Sequence, residues 1–298
     1  MATHIHDSSD ESSRRNSDPS PQGDPAVSSV PGSHKRFRIL LEYDGTDFLG
    51  WQLQARGRTV QGEIEAALRR LFGAALRVHG AGRTDSGVHA LGQVAHFDLD
   101  TRLDAPTMGK ALNAELPDDI VVHDTGIVES EFHSRFSASS RSYTYTIVHH
   151  RVAIDRRRMW ALHTPLAHDD IRVAVESLRG THDFRAFAKH VPDMPHHWCH
   201  VFSASWDTDG DITRFRITAN RFLQGMVRCL VGSLVHVGRR RISPDDFHAI
   251  LASRDRRRAP MLAPAHGLVL TGVAYDVDER AVVRAIMEDL RMDLHREE

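Results

Sequence analysis

The order of hydrophobic runs predicts an α+β protein: two similar halves of mixed, largely antiparallel sheet, with helices packed on one side. Three observations carry this. Short runs of period-two alternation recur along the chain, most clearly at 37–43 and 141–148. Between them lie segments whose apolar residues step by three and four, as on one face of a helix. Helices and strands do not alternate one for one, as they would in a parallel βαβ array.

Residues 1–34 are Ser, Asp, Pro and Gly with almost no large apolar side chains. Such a composition cannot bury enough surface to offset chain entropy, so a disordered tail is expected. The first half is expected over 35–150. Phe37, Ile39, Leu41 and Tyr43 alternate with Arg38, Leu40 and Glu42 in a strand that ends at Asp44-Gly45. Thr59 precedes a helix on which Val60, Ile64, Leu68 and Leu71 share a face, and Gly73 closes it. Strand-like runs follow at 76–79 and 92–97, then a helix at 105–114 and strands at 120–122 and 141–148. In the last of these Tyr143, Tyr145 and Ile147 share one face. The second half, 151–276, reads as a helix at 169–178, strands at 201–206 and 213–218, helices at 221–237 and 244–252, and a strand at 268–275. Residues 277–298 are expected to hold a C-terminal helix, from 279 to about 294, and a frayed tail.

With 298 residues, 41% of them hydrophobic and 26% charged, the chain is long enough for two packed cores or one large one. Its two cysteines, Cys199 and Cys229, cannot build a disulfide framework, and no run of eighteen apolar residues exists. The first residues lack the apolar centre of a secretory signal. A stapled secreted scaffold and a membrane span are therefore not expected, and the cytoplasm is. The formal charge of −2 averages unlike segments: the ends are acidic, while residues 35–275 hold 32 bases against 27 acids. Arginines cluster at Arg151 with Arg156, Arg157 and Arg158, at Arg239, Arg240 and Arg241, and at Arg254 with Arg256, Arg257 and Arg258. A planar guanidinium suits bidentate phosphate recognition, although each cluster taken alone reads more simply as a solvated face.

The densest unusual stretch is Gly80-Ala81-Gly82-Arg83-Thr84-Asp85-Ser86-Gly87-Val88-His89-Ala90. Its glycines permit tight backbone and close approach of a second molecule, so Arg83 and Asp85 can be presented to a ligand. A dinucleotide-binding reading fails, because the third glycine of that fingerprint falls on Asp85 and no long helix follows. A carboxylate two residues from a guanidinium has its ionised form favoured and is available as a nucleophile or base. An Arg–Asp pair that merely ties down a turn fits the same spacing.

Residues 82–90 closely resemble the signature of the tRNA pseudouridine synthase A family. The resemblance continues in Tyr43-Asp44-Gly45-Thr46-Asp47-Phe48 with Gly50-Trp51-Gln52, in Thr59-Val60-Gln61, in residues 113–120 and in Phe132-His133-Ser134-Arg135-Phe136-Ser137-Ala138. It extends to Arg221-Phe222-Leu223, Met226-Val227-Arg228, Val231-Gly232 and residues 263–268, and so covers about residues 36–276 in order. The resemblance implies the pseudouridine synthase fold, with the active-site cleft between the halves. It also implies isomerisation of uridine to pseudouridine in the anticodon arm of tRNA, at positions 38, 39 and 40, without a cofactor. It assigns catalysis to Asp85, a place beside it to Arg83, packing on the target base to Tyr143, and an approach to the catalytic loop to Arg228. A homodimer in which one tRNA touches both subunits is implied as well, and no membrane partner.

Three departures stand out. Residues His196, His197, Cys199 and His200 are richer in potential metal donors than that segment of the family, although their spacing is too tight for all four to hold one ion. Ala259-Pro260 replaces the usual Ala-Gly, and Ser86 stands where alanine is frequent. Two rival readings remain from the sequence: a non-catalytic tRNA-binding or folding chaperone, and a metal-dependent hydrolase built on the histidines. Intact Asp85 and Tyr143 argue against the first.

Overall fold

The computed structural model describes residues 33–191, 194, 196–278, 281, 284 and 285. Chain order gives β1 (Ser33–Tyr43), α1 (Val60–Phe72), β2 (His79–Gly80), β3 (His89–Thr101), α2 (Ala105–Glu115), β4 (Ile120–Val128) and β5 (Ser140–Val148). There follow β6 (Trp160–Ala161), α3 (His168–Glu176), β7 (Gly180–Asp183), β8 (Trp198–Asp209), β9 (Ile212–Ala219), α4 (Met226–Gly238), α5 (Pro244–Ser253) and β10 (Leu268–Ala274). The fold is α+β, as the hydrophobic pattern predicts.

All ten strands join one mixed sheet in the order β4-β1-β3-β10-β5-β9-β8-β7, with β2 on β3 and β6 on β5. The central pair exchanges sides. Strand β10, the last in sequence, lies between β3 and β5, while β5 pairs antiparallel with β9. The β3–β10 pairing is parallel and only two residues long, His89 and Ala90 against Val269 and Leu270. The loop that precedes β3 therefore emerges at the seam of the sheet.

Alternation determines which side chains form the core. Phe37, Ile39, Leu41 and Tyr43 of β1 are buried, as are Tyr143, Tyr145 and Ile147 of β5 and Phe215, Ile217 and Ala219 of β9. Helix α1 begins at an Ncap Thr59 whose hydroxyl accepts from the Gly62 amide, and ends at Gly73 with φ +68°, so both sequence signals act as read. It buries Val60, Ile64, Ala67 and Leu68.

Several boundaries differ from the sequence reading. Strand β1 starts at Ser33, paired with Thr101, so the expected tail gives up its last two residues to the sheet. Residues 1–32 lie outside the described residues, as does most of the expected 279–294 helix, of which Ala281, Arg284 and Ala285 are helical. Of the run at 76–79 only His79 enters the sheet. The amide and carbonyl of Val78 are taken instead by Glu65 and Gln61 of α1, at 3.0 and 3.1 Å. Helix α4 begins at Met226 rather than Arg221, because Gly225 adopts φ +73° and interrupts helical backbone. Residues 221–224 become a loop in consequence.

Candidate active site

Asp85 sits on a loop held by side chains and backbone groups on both flanks. Gln93 of β3, with no exposed surface, donates from Nε2 to the Gly82 carbonyl at 2.7 Å and accepts from the Gly82 amide at 3.3 Å. The Tyr43 hydroxyl lies 2.9 Å from Thr84 Oγ1, and burial pushes its phenol pKa up to about 12, which keeps it a neutral partner. Trp51 N–H donates to the Thr84 carbonyl at 3.1 Å, Ser86 Oγ donates to the Phe48 carbonyl, and Val88 N–H closes a turn onto the Asp85 carbonyl. At the far end His89 bridges the Gly45 amide and the Arg157 carbonyl, at 3.1 and 2.8 Å. Segments 43–52 and 80–90 are thus two sides of one construction.

Close approach at that construction depends on glycine. Gly50 has φ +98°, and a Cβ there would lie 2.6 Å from the Thr84 carbonyl oxygen and 3.1 Å from the Asp85 carbonyl carbon. Gly50→Ala is expected to cost about 2–3 kcal/mol of stability. It is also expected to lower turnover at least tenfold, because the added methyl pushes directly on the backbone that aims Asp85. Urea denaturation and turnover of the same preparation check both.

The partner of Asp85 is Arg228, with Nη1 3.3 Å from Oδ2 and both side chains about three-quarters or more covered. Arg228 is fixed in turn by its Nε, which donates to the Ala263 carbonyl at 2.9 Å, while Ala263 N–H returns to the Arg228 carbonyl. Helix α4 is buried all round except at Arg228 and His236. A lone guanidinium on such a helix has no solvated face and must be aimed at something. Arg83, by contrast, is exposed and makes no hydrogen bond or ion pair among the described residues. It does not tie the turn to Asp85.

Tyr143 of β5 lies beneath the loop: a Cβ on Gly82 would stand 3.6 Å from its hydroxyl. It is 7% exposed, and Phe222 of the 221–224 loop packs edge-on against it at 5.0 Å and 83°. Burial holds its phenol well above the ordinary tyrosine pKa, so the hydroxyl is neutral. The structure therefore gathers Asp85, Arg228 and Tyr143, with Arg83 at the rim.

Sequence reasoning overlooks Arg141. This guanidinium, 8% exposed, donates to four backbone carbonyls: Ala81, Arg135, Ala138 and Asn220. It joins the Asp85 loop, the 132–138 turn and the start of the 221–224 loop. Three arginines follow those anchors. Arg135 is held below its ordinary pKa by partial burial and then by the neighbouring charges of Arg83 and Arg221, so the three guanidinia share one rim.

The side chains of the histidine-rich segment take separate partners. His196 lies 3.5 Å from Arg221, His200 bonds Thr181 at 2.7 Å, and Arg185 donates to His197 at 3.4 Å. Cys199 is fully buried, which pushes its thiol pKa up to about 12. Among the described residues no three His, Cys, Asp or Glu side chains are grouped so as to hold a metal ion. Of the arginine clusters, the third is engaged in its own fold: Arg254 with Asp183, Arg257 with Asp255, and Arg256 and Arg258 on nearby carbonyls. The first is exposed and forms no salt bridge among the described residues, although Arg157 acts on Asp44 through its charge, and its Arg157 carbonyl contacts His89 at the end of the Asp85 loop.

The family model described as tRNA pseudouridine synthase matches residues 39–137 and 174–276. A protein of Maridesulfovibrio salexigens named tRNA pseudouridine synthase A is 40% identical over 245 residues, covering 81% of this chain and 90% of its own. Proteins of the same name from Moorella thermoacetica and Solidesulfovibrio magneticus are 43% and 44% identical, each covering 80% of this chain and 99% and 91% of their own. The regions matched by the family model contain the clamped loop, residues 132–137 of the turn and Arg228 with its Ala263 anchor, and on these matches this chain belongs to the tRNA pseudouridine synthase family.

Proposed function

We propose that this protein isomerises uridine to pseudouridine in the anticodon arm of tRNA, at positions 38, 39 and 40, with Asp85 as the catalytic group. The observation that carries this is the carboxylate of Asp85, fixed by its loop at the seam of the sheet and ion-paired to Arg228 of α4. The net reaction breaks the N1–C1′ bond and forms C5–C1′, while the proton lost from C5 is balanced by one gained at N1. No electron or water is consumed. A uridine stacked in an RNA arm hides C1′, so the nucleotide must be extruded toward the loop. Asp85 then meets the sugar–base junction, Arg228 orients the carboxylate through its ion pair, and Tyr143 forms the floor on which the base packs.

Arg83, Arg135 and Arg221 on the rim, with Arg151, Arg156, Arg157 and Arg158 beyond, suit the phosphates of a folded RNA recognised by shape. A homodimer would present two such rims to one tRNA. The cytoplasm is the compartment in which this substrate would be met.

The test is direct. Purified protein incubated with an unmodified tRNA transcript is expected to form pseudouridine at positions 38–40, and to do so equally with excess EDTA. Loss of activity with EDTA would favour the hydrolase reading built on the histidines, and modification confined to other positions would overturn the anticodon-arm assignment.

A further inference from the structure

The turn at 132–138 carries a feature that the isomerisation chemistry leaves unused. Phe136 is 70% exposed, the one aromatic ring among the exposed large hydrophobic side chains of the described residues. An open phenyl ring of this kind contributes nothing to the core. The guanidinium of Arg135 lies over it, with Cζ 5.5 Å from the ring centroid, and the His133 ring packs beside it at 4.4 Å and 35°, which still leaves most of the ring exposed. The platform is rigid as well as open. His133 Nδ1 accepts from the amides of both Arg135 and Phe136, at 3.1 and 3.3 Å, and Ser137 N–H donates to the His133 carbonyl. Beneath it the His133 ring abuts buried His96 at 4.6 Å, and His96 is itself bonded to Ser134. The platform is also placed. One nitrogen of Arg141, Nη2, donates both to the Arg135 carbonyl and to the Ala81 carbonyl of the catalytic loop.

The geometry points to Phe136 and Arg135 as a stacking shelf for an unpaired nucleobase of the RNA, next to the nucleotide extruded toward Asp85. This inference rests on the functional reading above and adds a base-binding position to it. A flat ring in a preformed turn accepts any base face, and the surrounding Arg83, Arg135 and Arg221 match the phosphates on either side of such a base. Extrusion of one nucleotide breaks the stack of its neighbours, and the shelf replaces the stacking that a neighbour loses. A protein partner would find a single exposed ring among cations, whereas an RNA finds both of its chemical features met.

The experiment compares Phe136→Ala, Phe136→Leu, Phe136→Tyr and Phe136→Trp for tRNA affinity and for kcat/KM, with thermal denaturation and sedimentation run alongside. Alanine and leucine are each expected to weaken tRNA binding by about tenfold to a hundredfold, with kcat/KM falling in step, while tyrosine and tryptophan stay near the wild type. Leucine is the decisive variant, since it keeps apolar area but lacks a flat ring. Wild-type affinity in the leucine or alanine variant overturns the shelf, and so does a change in oligomeric state without a change in RNA affinity. Absence of pseudouridine formation by the wild-type chain would instead defeat the functional reading, since the affinity comparison is independent of turnover.

Discussion

Asp85→Asn is expected to lower pseudouridine formation by about 10⁴-fold or more, while tRNA affinity stays within a few fold. Asparagine has the shape of aspartate but is neither a nucleophile nor a base, so the effect falls on the chemical step. The loop does not depend on the carboxylate for its conformation. It is held by Gln93, Tyr43 and Trp51 through the Gly82 and Thr84 positions, and by Ser86 on Phe48. Arg228 keeps its bond to the Ala263 carbonyl when Asp85 is replaced, and its remaining donors face a partly open site. Removing one negative charge beside a cationic rim works, if anything, in favour of a polyanion. Single-turnover assays with excess enzyme, filter binding and thermal denaturation separate the three quantities. Wild-type turnover in the asparagine variant would remove Asp85 from the reaction, and so would a loss explained wholly by unfolding. A chaperone with the same fold would bind and remodel tRNA equally well with either residue, which makes this substitution the test between the two classes.

How much of this was legible beforehand depends on the range over which each signal acts. Local signals were read correctly. The alternation of β1, the Thr59 cap of α1 and its Gly73 stop each involve residues within a few positions of one another. The same holds for the glycine-rich loop, whose composition announced tight backbone. Signals that act across the fold were not. The run at 76–79 has strand chemistry, but Gln61 and Glu65, on a helix that precedes it, take its backbone groups. Gly225 lies inside a stretch with helical periodicity, and only its positive φ shows that the helix must start after it.

The site divides in the same way. Asp85 and Arg83 were visible because they share a loop, whereas the true ion-pair partner comes from 143 residues away. A clue to Arg228 was nonetheless present: from Met226 to Gly238 the helix is apolar on every side, and one arginine in such a run is out of place. Arg141 left a similar trace. It stands on the same strand face as Tyr143, Tyr145 and Ile147, so a charged residue occupies the first position of a buried stripe. The resemblance already points to Arg228; reading departures from a pattern, rather than the pattern itself, reaches it without the resemblance and finds Arg141 as well.

Arg141 gives the second large effect. Replacing it with methionine is expected to destabilise the fold by about 3–5 kcal/mol and to lower Tm by roughly 10 °C or more. Its cation has no acidic partner among the described residues; burial lowers its pKa, and the charge is satisfied by the carbonyls of Ala81, Arg135, Ala138 and Asn220. Methionine matches the volume but leaves those four acceptors without their donor, and unpaired buried carbonyls are what make the change costly. Arg141→Lys separates anchoring from folding. It keeps the charge and the apolar stem, yet a single ammonium cannot reach carbonyls on three segments at once, as a planar fork does. The lysine variant is therefore expected to stay folded at 25 °C while kcat/KM falls tenfold or more, because Ala81 and Asn220 stand next to the segments that present Arg83 and Arg221. The salt dependence of its tRNA affinity should flatten as the three rim arginines lose their common alignment. If the lysine variant keeps wild-type turnover and salt slope, Arg141 is a packing residue alone; if the methionine variant keeps wild-type Tm, the four-carbonyl anchor is not what holds the seam.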